Sequence, residues 1–135
     1  MSYMINHIHI KTDDPDKVAE WYAEAFGFKI ISRSVRDFNT KLMDYFIVTE
    51  SKDGTRVNIS GARSNETLPE IGSGVHEGLE HFGIYVPNMK EELERLQKLG
   101  AIVLEEPLET PEGALLAFIQ TPYDKSRVEV VQAPD

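Results

Sequence analysis

Ile5-Asn6-His7-Ile8-His9-Ile10 alternates in the manner of a β-strand, sending Ile8 and Ile10 to one face and His7 and His9 to the other. A buried sheet face takes apolar residues, so two imidazoles sharing a face point to a site. The stretch also recurs. Leu79-Glu80-His81-Phe82-Gly83-Ile84 repeats the spacing, with Phe82 and Ile84 on the apolar face and His81 opposite them. His7 and His81 are therefore repeat mates, and Gly83 is the mate of His9.

The segments after the two copies repeat as well. After the first copy, Asp13 or Asp14 caps a helix with Pro15 at its first position; Val18, Trp21, Tyr22, Ala25 and Phe26 keep helical spacing until Gly27 stops it. Residues 28–34, 42–49 and 55–60 read as strands, the last two joined by the turn Lys52-Asp53-Gly54. After the second copy, Asn88 caps a helix with Glu91 three residues on, Met89, Leu93, Leu96 and Leu99 form its apolar stripe, and Gly100 ends it. Strands come next at about 101–105, 114–120 and 126–132. Both halves are β-α-β-β-β. Phe46-Ile47-Val48-Thr49 matches Phe118-Ile119-Gln120-Thr121, and Asp53-Gly54-Thr55-Arg56-Val57-Asn58 matches Asp124-Lys125-Ser126-Arg127-Val128-Glu129, so an internal duplication is expected. The predicted organisation is one α+β domain over 1–135: module one at 1–61, a linker at 62–78, module two at 79–135. The 17-residue linker, rich in Gly, Ser, Asn and Glu, reads either as a lid or as a solvated tether, with His76 a surface residue.

Composition narrows the chemistry. The chain has 135 residues, 41% hydrophobic and 27% charged, which suits a soluble globular domain with a sizeable core. With no Cys, disulfides and thiolate chemistry are excluded, and any metal must use His, carboxylate, amide, carbonyl or water. A net charge of −9 without a basic cluster argues against nucleic acid and anionic membranes as partners. No apolar run approaches a membrane span and no signal peptide is visible, so the expected location is the cytoplasm.

The duplication tests the site. Val57 and Ile59, like Val128 and Val130, form an apolar strand face, leaving Arg56, Asn58, Arg127 and Glu129 on the other. The polar faces thus offer His7 and Asn58 from one module, His81 and Glu129 from the other. Two imidazoles and a carboxylate suit a divalent metal with open positions: Ni, Co, Zn, Mn or Fe(II). The same residues also suit a plain Glu–His hydrogen bond without metal. His9 reads as a ligand, an acid/base or a polar wall. Lys11, Arg56 and Arg127 read either as solvated strand ends or as a cationic rim for an anionic substrate.

These stretches, together with Trp21-Tyr22-Ala23-Glu24-Ala25-Phe26-Gly27-Phe28 and Thr121-Pro122-Tyr123-Asp124-Lys125-Ser126-Arg127-Val128-Glu129, resemble the vicinal oxygen chelate superfamily over nearly the whole chain. That family contains glyoxalase I, methylmalonyl-CoA epimerase, fosfomycin-resistance thiol transferases, extradiol dioxygenases and bleomycin-binding proteins. The resemblance implies two β-α-β-β-β modules pairing into a curved eight-stranded mixed sheet, a homodimer, and one divalent metal bound by His7, His81 and Glu129. Asn58 departs from the pattern, because glyoxalases and epimerases place Glu or Gln there. Lys11 falls where glyoxalases place an Arg that grips glutathione. The expectation is a metal-dependent lyase or isomerase of the glyoxalase/epimerase type, acting on a small oxygenated substrate through a metal-stabilised enediolate. Glu129 would be catalytic, and Asn58, His9, Lys11, Arg56 and Arg127 would contact substrate. The alternatives are an Fe(II) extradiol-type dioxygenase and a metal-free small-molecule binding protein.

Overall fold

The structure, a computed structural model, describes residues 1–37 and 43–135. Leu42, expected at the start of a strand, lies outside the described residues. Two compact units make up the chain, Met1–Pro69 and Glu70–Asp135.

Unit 1 runs β1 (His7–Lys11), α1 (Pro15–Phe26), β2 (Lys29–Asp37), β3 (Met43–Glu50) and β4 (Arg56–Ser60). Its sheet order is β1-β4-β3-β2, with β1 parallel to β4 and the other pairs antiparallel. Of the two candidate caps, Asp14 is the one used: its carboxylate accepts from the Lys17 N–H, while Pro15 opens the helix without wasting a donor. Gly27 ends α1 at φ 71, a left-handed backbone that a Cβ would strain. Val18, Ala19, Trp21, Tyr22 and Ala25 are buried on the helix side facing the sheet. There they meet a sheet face built on Ile47, Val57 and Ile59, all but inaccessible to solvent.

Unit 2 runs β5 (Phe82–Tyr85), α2 (Met89–Lys98), β6 (Ile102–Glu109), β7 (Leu115–Gln120) and β8 (Arg127–Gln132), in the order β5-β8-β7-β6. Again the first and last strands pair in parallel. Asn88 caps α2 by accepting from the Glu91 N–H, and Met89, Leu93 and Leu96 are buried. The register repeats too: His9 stands opposite Asn58 in unit 1, and its mate Gly83 stands opposite Glu129 in unit 2.

Among the boundaries that differ from those expected on sequence, two bear on the site. β6 is longer, running through Glu105, Glu106 and Pro107 to Glu109. Acidic residues and a proline disguise it as loop, but it is an edge strand with two register breaks, where a missing N–H costs no sheet bond. β5 begins at Phe82, so His81 stands one residue ahead of its strand. The stretch 62–78 is split between the units. In unit 1 Glu66 bonds the Arg63 N–H and Lys11, whereas in unit 2 Ser73 is buried and its hydroxyl meets Gln120.

Candidate functional site

In unit 1, parallel pairing of β1 with β4 places His7, His9 and Lys11 beside Arg56, Asn58 and Ser60 on one face. His7 is exposed, its Nδ1 2.8 Å from Asn6 Oδ1. The His9 ring is fixed by two contacts: Nε2 lies 2.8 Å from Ser60 Oγ, and the ring meets Phe46 edge-on at 5.3 Å. Both cations on this face have carboxylate partners. Lys11 bonds Glu66 and the Gly61 carbonyl, each at 3.1 Å, and Arg56 Nε lies 2.9 Å from Glu50.

Unit 2 holds a denser arrangement. The His81 ring lies between two carboxylates, with Nδ1 2.8 Å from Glu80 Oε1 and Nε2 3.1 Å from Glu129 Oε2. The ring packs against Phe118 in a T-shaped contact, centroids 5.0 Å apart. All three polar groups are largely covered, their side chains 29% (His81), 23% (Glu80) and 21% (Glu129) exposed. The hydrogen bond from His81, and behind it the positive charge of Arg127, hold the Glu80 carboxyl below its usual range, with burial opposing them.

Arg127 is not a solvated strand end. It is 8% exposed, its guanidinium 4.2 Å over the Phe118 ring. One terminal nitrogen donates to Glu105 and the other, at 3.3 Å, to the Ser73 carbonyl. Its Nε lies 3.2 Å from Glu80 Oε1, an ionic contact whose angle falls outside hydrogen-bond geometry.

Donor chemistry in unit 2 fits a divalent metal. An ionised carboxylate only accepts, so Glu80 requires the proton of His81 on Nδ1. The Nε2 lone pair then faces a second carboxylate, Glu129, and only a positive centre between them, a proton or a metal ion, makes that contact attractive. A carboxylate on the far nitrogen is also how metal-ligating histidines are commonly oriented. Within neither unit do three His, Cys, Asp or Glu side chains gather in a metal-holding group among the described residues. Unit 2 supplies two donors, His81 and Glu129; His7 belongs to unit 1.

Glu80 and Ser60 escape a reading of the sequence alone. Glu80 is hidden because neighbours on a strand point to opposite faces, a rule that does not reach residues lying ahead of β5. A hint is available in an acidic residue directly preceding a site histidine. Ser60, the register neighbour of Lys11, escapes because serine carries no chemical signature of its own.

Among the described residues no helix is long and apolar enough to cross a membrane. Structural likeness extends over the full fold. A glyoxalase family protein from Bacillus cereus superposes with a TM-score of 0.88 at 14% identity, covering 100% of this chain and 97% of that one. A glyoxylase/bleomycin resistance protein/dioxygenase domain from a Frankia species gives 0.72 at 20% identity, covering 98% and 99%. Glyoxalase I from Zea mays gives 0.68 at 24% identity, with 97% of this chain matched to 45% of that one. No match was found among curated proteins. Residues 4–130 match the family described as the Glyoxalase/Bleomycin resistance protein/Dioxygenase superfamily, and with nearly the whole length matched the chain belongs to that superfamily.

Proposed function

We propose that this protein is a lyase or isomerase of the glyoxalase/epimerase type, working as a homodimer on a small oxygenated substrate with one divalent metal held by His7, His81 and Glu129. The observation that carries the reading is the His81 imidazole flanked by carboxylates, with its Nε2 3.1 Å from Glu129. Membership of the superfamily and the repeat relation of His7 to His81 support it. Bound there, the ion would supply Lewis-acid stabilisation of negative charge developing on substrate oxygens.

The protein's own groups supply the rest. Glu129 takes a proton from the carbon next to a carbonyl and returns it. Asn58 and His9, opposite one another in register, hold substrate oxygens, and Ser60 and Phe46 keep the His9 ring from turning. Arg127 is committed to Glu80 and Glu105 and leaves anion binding to other groups.

The test is metal analysis of the purified protein beside a His81→Ala variant. Wild type should carry one equivalent and the variant should lose most of it while remaining folded by circular dichroism. Full stoichiometric metal in His81→Ala would refute the assignment.

A further inference from the structure

We propose that Arg127 and Glu80 are positioning residues that fix the His81 ring, so that its Nε2 is delivered to Glu129. The proposal rests on the functional reading above for its purpose, but its geometry is independent of that reading. Six groups form a chain of contacts: Glu105 and the Ser73 carbonyl anchor the Arg127 guanidinium, Arg127 Nε sits 3.2 Å from Glu80, Glu80 holds His81 Nδ1 at 2.8 Å, and His81 Nε2 reaches Glu129 at 3.1 Å.

A carboxylate orients an imidazole only as firmly as the carboxylate is itself held. Glu80 is attached ahead of β5, where no sheet pairing fixes its backbone, so an external hold on its carboxylate is needed. Arg127 provides that hold from a rigid place. It is on β8, paired on one side with β7 through Gln120, and its head lies over the Phe118 ring. The same Phe118 ring is in T-shaped contact with His81, so a single aromatic side chain braces both members of the chain of contacts. Burial of Arg127 to 8% exposure shields these ionic contacts from competing water. Unit 1 lacks the arrangement: Arg56, the mate of Arg127, is paired with Glu50, and the residue before His7 is Asn6, not a carboxylate.

The experiment uses histidine-labelled, metal-free full-length protein and reads nuclear Overhauser contacts between the His81 and Phe118 rings by NMR. Wild type and Glu80→Gln, whose amide oxygen still accepts from Nδ1, should show the contact; Glu80→Ala and Arg127→Met should lose it. Arg127→Lys covers the case in which Arg127→Met fails to fold. It keeps the charge without the flat head or the fork, and the ring contact should weaken. Unchanged ring contacts in Glu80→Ala and in either Arg127 variant would overturn the proposal. Titration with Zn²⁺ alone supplies the second readout: affinity should fall about 10–100-fold in Glu80→Ala and recover to within a few-fold in Glu80→Gln. If wild type bound no Zn²⁺, the metal reading would fall while the ring contacts still decided the positioning role. Equal affinity in wild type and Glu80→Ala would count against positioning and leave the metal reading standing.

Discussion

Two buried threonines at repeat-equivalent positions, Thr49 and Thr121, allow the closing turn of unit 2 to be weighed against its counterpart. Both are fully inaccessible to solvent, and valine copies the threonine shape, so replacement by Val removes hydrogen bonds without opening a cavity. Thr49 donates one bond, 2.7 Å to the Val57 carbonyl. Thr121 does more: its hydroxyl donates to the Asp124 carboxylate at 2.7 Å and accepts from the Ser126 N–H at 2.9 Å. That turn also contains Tyr123 at φ 45 and Lys125 at φ 53, left-handed positions that favour glycine, whereas unit 1 places Gly54 at the position matching Lys125. The Thr121 bonds therefore hold a strained turn closed. A neutral bond contributes about 1 kcal/mol, one to a charged group about 1.5–3, and a stranded buried N–H costs about 1–3. Thr49→Val should then cost about 1 kcal/mol. Thr121→Val should cost about 2–4, the part-buried turn admitting some water to the freed groups. With a urea m-value near about 2 kcal/mol/M, the midpoints fall by about 0.5 M and about 1–2 M. Far-UV circular dichroism is the suitable probe, because the single Trp21 reports only on unit 1. If Thr49→Val proved as costly as Thr121→Val, the turn would not depend on the hydroxyl. The register it sets, Phe118 opposite Glu129 and Gln120 opposite Arg127, would then need another cause.

Asn58, one methylene shorter than the Glu or Gln expected at its position, should hold a substrate oxygen without ligating metal. Asn58→Ala is expected to leave metal affinity within a few-fold and to slow turnover, whereas a loss of about two orders of magnitude in affinity would make it a ligand. Turnover in deuterated water should place solvent deuterium in the product without oxygen uptake. Stoichiometric O2 consumption by an Fe(II)-loaded sample with a catechol would instead establish dioxygenation. Replacing the helix cap in Asn88→Ala should cost about 1 kcal/mol in urea unfolding, and no loss would show that the 3.0 Å bond to the Glu91 N–H is dispensable. Acid stability carries a sign as well. The Ser51 hydroxyl above all, with Thr55, lowers the Asp53 carboxyl in the folded state, so its contribution is complete above the unfolded value of 3.8 and disappears as pH falls through the lower folded one. Asp53→Asn should flatten the pH dependence of the unfolding midpoint in that window, and an unchanged slope would contradict the assignment.

Much of this was set by the sequence alone, because it depends on neighbours along the chain. Alternation in residues 5–10, the helical spacing from Val18 to Ala25, the caps at Asp14 and Asn88 and the stops at Gly27 and Gly100 arise from local backbone geometry, and they define two β-α-β-β-β units. The duplication then singled out His81 and Glu129, which do meet in unit 2. Tertiary structure decided what each charge touches. Arg127 reads as a strand end in one dimension, yet it is buried because Ser73, 54 residues away, and Glu105, 22 residues away, converge on it. Glu80 acquires its place beside the His81 ring because β5 begins only at Phe82, leaving both residues ahead of the strand. Periodicity assigns a side chain to a face. Its ionic partners depend on which distant segments share that face, and ion pairing acts through space between groups that sequence order leaves far apart.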